Sequence, residues 1–73
     1  MKIDINSPDG NIFVALGLAL KIMKFQGKSD SELRELRFRV MSAENYTDAC
    51  RTIEIMTEKQ IRFYDGRKSL FGD

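Results

Sequence analysis

Histidine and tryptophan are absent from this 73-residue chain, and cysteine and proline occur once each. The lack of histidine removes the side chain that most often serves as a general base near neutral pH. A lone cysteine, Cys50, excludes an internal disulfide, and without histidine it cannot build a structural zinc site. Excess charge of one sign is missing too. Lys and Arg number 12 against 11 Asp and Glu, a formal net charge of +1, which gives no electrostatic case for general DNA or RNA binding. The apolar run Ile12–Leu20 is about half the length that spans a bilayer, and Lys21 and Lys24 then interrupt it. The start, Met1-Lys2-Ile3-Asp4, lacks the charged segment and apolar run of a signal peptide. The expectation is a soluble, cytoplasmic protein with no membrane contact, no metal and no cofactor.

What is present is an ordinary globular composition, 42% hydrophobic and 32% charged, which argues against wholesale disorder. The length makes one domain. A chain this short buries only about 60% of the surface that its unfolded form exposes. With disulfide and metal excluded, oligomerisation is the support that remains.

Local patterns predict an α+β domain of order β-α-α-α-β, three helices with a two-stranded sheet. Ile3 and Ile5 alternate with Lys2 and Asp4, a short half-buried strand. Asn6 to Asn11 is a turn around Pro8 and Asp9-Gly10. A helix from about Asn11 to Gln26 follows, with Gly27 at the left-handed position that ends helices. Its apolar residues fall on two faces: Ile12, Leu16, Ala19, Leu20 and Met23 on one, Val14, Leu18, Ile22 and Phe25 on the other. Such a helix is expected to be buried all round, which points to shared burial between subunits. Gly17 marks an expected close approach of another backbone.

The second helix starts at Ser29, whose spacing to Glu32 matches a capping box, and runs to about Ser42. Leu33, Leu36 and Val40, with Met41 or Arg37, form its inner stripe, and Phe38 falls off that stripe. A third helix from near Asn45, with Asp48 as a weaker cap partner, fades around Thr57 to Lys59. Tyr46, Ala49, Cys50, Ile53 and Met56 form its buried stripe, with Tyr46 packing at its start. Ile61 to Asp65 reads as the second strand, ended by Asp65-Gly66. The compact domain is thus placed at residues 1–66, with 67–73 as a short tail whose Leu70 and Phe71 are free to dock on a neighbour.

No nucleophile–base pair can be assembled, so the chain is not expected to be an enzyme. Cys50 on the inner stripe reads as a small core residue. Two sets of residues remain. The turn into the first helix offers main-chain amides at a helix N-terminus, with Asn6, Ser7, Gly10 and Asn11 around them, a place suited to an anion. The plainer reading is that Ser7, Asp9 or Asn11 caps the helix and Pro8-Gly10 shapes the turn. The exposed bases form the second set: Lys21, Lys24, Arg34, Arg37, Arg39, Arg51, Arg62, Arg67 and Lys68. Arg62 beside Tyr64 would hold a phosphate and a base together. The plain alternative is a solvated face balanced by Glu32, Glu35, Glu54 and Glu58.

The pattern resembles small bacteriophage-encoded accessory proteins. The resemblance rests on a strand like Ile3-Asp4-Ile5, the turn Pro8-Asp9-Gly10-Asn11, the segment Met41-Ser42-Ala43-Glu44-Asn45-Tyr46 and a closing strand like Ile61-Arg62-Phe63-Tyr64-Asp65. It covers the chain up to about Asp65. The more apolar first helix and the basic Arg67-Lys68 depart from it. The resemblance implies a counter-defence protein in the infected bacterial cell, a homo-oligomer that sequesters a nucleotide second messenger at a subunit boundary. Asn6, Ser7, Gly10, Asn11 and Arg62 would hold phosphate, and Tyr64 or Phe13 would stack on a base. The alternative is a protein inhibitor or adaptor that docks on a bacterial host protein through the first helix or Phe38.

Overall fold

The computed structural model describes residues 1–72. Three helices and a three-stranded sheet share one core, with α3 packed on the central strand, an α+β domain. Strand β1 spans Lys2–Asp4 and leads into a single 3₁₀ turn at Pro8–Gly10. Helices α1, Ile12–Phe25, α2, Asp30–Met41, and α3, Tyr46–Met56, follow. Strand β2, Arg62–Asp65, lies between β1 and a short β3, Lys68–Ser69. β1 and β2 run parallel, Ile3 opposite Phe63, and β2 and β3 run antiparallel. The three helices form the long crossover that a parallel pair needs.

Each helix begins and ends for local reasons. The Asn11 side chain caps α1, accepting from the Phe13 and Val14 amides. Ser29 and Glu32 form a full capping box on α2, and the Asn45 side chain accepts from the Asp48 amide of α3. The α1 terminus closes as expected on Gly27, at φ 84°, with the Lys28 amide bonded back to the Met23 carbonyl at 3.0 Å. α3 closes the same way without glycine: Glu58 and Lys59 take positive φ, and the Lys59 amide reaches the Glu54 carbonyl at 2.8 Å.

The core joins Ile3, Ile61 and Phe63 of the sheet side to Ala15, Leu16, Ala19 and Met23 of α1, Leu36 and Val40 of α2, and Ala49, Cys50 and Ile53 of α3. Cys50 is fully buried, as its position on the inner stripe requires. Glu54 is buried as well, and does not face solvent as its charge suggests. Its carboxylate accepts from the Phe63 amide at 2.8 Å, so a side chain of α3 satisfies a donor of the central strand. Thr57 makes a second tie, donating to the Ile53 carbonyl and accepting from the Ile61 amide.

One copy of the chain leaves part of α1 open: Phe13 and Phe25 are 64% and 95% exposed. Beside α2 and α3, α1 buries Leu16, Ala19 and Met23 and packs Leu18 and Ile22 partly against the core, while Val14 and Phe25 stay exposed. Three other expectations are corrected. Gly17 has nothing near the position of an added Cβ, so no backbone approaches it. Arg37 and Met41 are exposed instead of joining the inner stripe, and Tyr46 is only partly covered. Finally, the sheet has three strands and the last segment is no loose tail. Gly66, at φ 64°, supplies the positive φ of a tight hairpin turn. It brings β3 onto β2 and packs Leu70 and Phe71 against the chain's own core. Asp73 of that expected tail lies outside the described residues.

Candidate functional site

The turn before α1 engages its own amides. The Asn6 amide donates to the Asp4 carboxylate and the Ser7 amide to the Asp4 carbonyl, both at 2.9 Å. The Gly10 amide reaches the Ser7 carbonyl at 2.9 Å, and the Asn11 amide the Pro8 carbonyl at 3.2 Å. The Asn11 side-chain oxygen takes the Phe13 and Val14 amides at 2.9 and 3.4 Å. Side-chain donors turn inward too. The Asn6 amide group bridges Asp4 and Asp65 at 3.1 and 2.9 Å, and the Ser7 hydroxyl donates to the Asp4 carbonyl at 2.7 Å. The Asn6 main-chain amide, with help from the Gly66 amide and the Asn6 side chain, holds the Asp4 carboxyl below the usual carboxylate range. These groups build the turn.

Gly10 is a packing residue. A Cβ there would lie 2.4 Å from the Ile5 carbonyl oxygen, a distance no side chain tolerates. Its carbonyl accepts the Tyr46 hydroxyl, which pins the start of α3 to the turn.

Arg62 and Tyr64 do come together, on the sheet face away from the helices. Lys2 joins them, because it stands directly opposite Arg62 across the parallel pair. The Lys2 ammonium lies 5.4 Å from the Tyr64 ring centroid and the Arg62 guanidinium 5.9 Å. Arg62 also donates to the Gly72 carbonyl at 3.3 Å.

Phe13 belongs to neither group. With Ile12 it projects from the first turn of α1 into a groove of about 310 Å³, whose other walls include Val40 and Met41 of α2 and Tyr46 and Ala49 of α3. Phe13 and Met41 are 64% and 61% exposed there. Periodicity places Ile12, Val40, Met41, Tyr46 and Ala49 on apolar stripes and leaves out Phe13, and it does not show that these residues share one groove. Phe13, Met41 and Tyr46 sit in a first or last helical turn; the short 42–45 connection brings Met41 and Tyr46 together, and the Tyr46–Gly10 bond ties them to the turn before Phe13. The usable signal was that large apolar residues stand at three helix ends.

Cys50 is unsuited to nucleophilic work. Burial, opposed by the Tyr46 hydroxyl and assisted by the nearby Glu54 carboxylate, pushes its thiol up to about 11, so the thiolate is scarce at neutral pH. Burial pushes Tyr46 up to about 12, with Cys50 adding to the rise. Among the described residues no three of His, Cys, Asp and Glu gather as metal ligands, and no helix is long and apolar enough to cross a membrane.

No family model matches the chain, and no curated protein or solved structure matches it.

Proposed function

We propose that this chain is a non-catalytic binding protein that acts by docking on another protein through the Phe13–Met41–Tyr46 groove. In the setting that the phage resemblance implies, the target is a bacterial host protein and the effect is inhibition or adaptation. The observation that carries the reading is the exposure of Phe13 and Met41 side by side in one apolar groove. Contiguous exposed apolar side chains are the usual mark of a protein contact, and aromatic and methionine side chains are enriched at the centres of such contacts. The groove accepts an apolar ridge from a partner helix or loop.

The test compares capture of bacterial proteins by the wild-type chain with capture by Phe13→Asp and Met41→Asp. A target held by the wild type and lost by both variants supports the reading. Light scattering on the wild type and on Phe13→Asp shows whether a second copy binds and whether it needs the groove.

A second reading, sequestration of a nucleotide by a homo-oligomer, is favoured by one arrangement: two cations directly opposed in register, both flanking the Tyr64 ring. Cations beside an aromatic ring suit a phosphate and a base held together. The turn residues Asn6, Ser7, Gly10 and Asn11 have no part in this version. Calorimetric titration with cyclic dinucleotides, and its loss in Arg62→Ala, tests it.

A further inference from the structure

A second groove, of about 470 Å³, runs between α1 and α2 and differs in kind from the apolar one. Lys21 and Lys24 of α1 face Arg34 and Arg37 of α2 across it, and Asp30 is the one carboxylate on its wall. The spacing follows from helix geometry, since residues three and four apart share a face. The acids expected to balance these bases are engaged elsewhere. Glu32 is held in the capping box, Glu35 pairs with Arg39 at 2.6 Å, Glu58 pairs with Lys28 at 3.1 Å, and Glu54 is buried on the Phe63 amide. Among the described residues no ion pair involves Lys21, Lys24, Arg34 or Arg37. A chain with a net charge of +1 therefore gathers four cations and one carboxylate around one cleft. Clustering like charges is unfavourable without a counter-charge.

We propose that this groove binds a small, multiply phosphorylated anion. Arginine matches phosphate oxygens with paired donors, and lysine adds a mobile point charge. The cleft volume lies in the range of about 300–1,000 Å³ typical of small-ligand sites. No aromatic side chain lines it, so nothing is available to stack on a base. Leu20 and Leu33 give it an apolar floor. The ligand is thus read through its phosphates, whether they come from an inorganic oligophosphate or from a nucleoside triphosphate. The groove shares no residue with the apolar one, and the inference does not rest on the docking reading.

The test is titration of the full ¹⁵N-labelled chain with tripolyphosphate, with adenosine triphosphate and with a single-stranded oligonucleotide in parallel. Saturable binding with shifts centred on Lys21, Lys24, Arg34 and Arg37 is expected. Arg34→Gln with Arg37→Gln should weaken it at least tenfold, and Lys68→Gln should leave it unchanged. All these side chains are exposed, and the same spectra report whether each variant is folded. Similar affinity for the two phosphates assigns recognition to the phosphate chain and supports the proposal, whereas adenosine triphosphate binding much tighter than tripolyphosphate contradicts it. Binding that fails to saturate, that survives the double substitution, or that is stronger for the oligonucleotide overturns it.

Discussion

The Tyr46 hydroxyl donates to the Gly10 main-chain carbonyl, so the first turn of α3 is fastened to the 3₁₀ turn 36 residues earlier. That bond holds two walls of the apolar groove in place. Tyr46→Phe removes the donor while keeping the ring, and should cost about 1 kcal/mol, read as a lower urea midpoint with an unchanged slope. Gly10→Ala should cost more, about 3 kcal/mol, because the new Cβ meets backbone that cannot move aside. Equal stability of Gly10→Ala and wild type would refute the close approach of Ile5.

Glu54 predicts a second effect. Glu54→Ala leaves the Phe63 amide buried without its acceptor, at about 1–3 kcal/mol. Glu54→Gln keeps a carbonyl oxygen at that place and should cost less. Hydrogen exchange at the Phe63 amide should quicken in the alanine variant.

Alkaline conditions should weaken the fold. Cys50 and Tyr46 titrate near 11 and 12 when folded, above their ordinary values of 9.0 and 10.0. As pH rises past about 9, the unfolded chain loses these protons first, so stability falls. The decline should run from about pH 9 to 12 and be shallower in Cys50→Ala. At pH 8 a disulfide reagent should label Cys50 only after denaturation.

Acid should weaken it as well. The Asp4 carboxyl is held below its ordinary value by the Asn6 amide, and that of Glu32 by the Ser29 amide and hydroxyl. Their contribution is present at neutral pH and is lost as pH falls through the depressed values, below about 4. Asp4→Asn and Glu32→Gln should each flatten the acid limb of a stability–pH curve.

These effects divide between what local pattern reveals and what only folding assembles. Ser29 with Glu32, Asn45 with Asp48, and Gly27 are short-range signals, and each marks a helix end where expected. β3 was not legible, because Lys68-Ser69 is too short to alternate. Asp65-Gly66 read as the end of a strand when it is the turn of a hairpin. Glu54 lies four residues beyond Cys50, on the buried stripe, but its charge hid it until the Phe63 amide supplied a partner. The candidate sites were partly legible. Arg62 with Tyr64 followed from strand alternation, whereas Lys2 needed the parallel register. The turn residues were chemically suited to an anion, yet the turn itself engages the main-chain amides of Asn6, Ser7, Gly10 and Asn11 and the side-chain donors of Asn6 and Ser7.

The docking reading is tested most directly by a photo-reactive residue placed at Phe13 and, as control, at Ile55, which is equally exposed at 63%. In a bacterial lysate the Phe13 position should cross-link to one protein, a host target or a second copy as mass spectrometry identifies it, and Met41→Asp should abolish the product. Cross-linking from Ile55 to the same extent, or none from Phe13, would contradict the account.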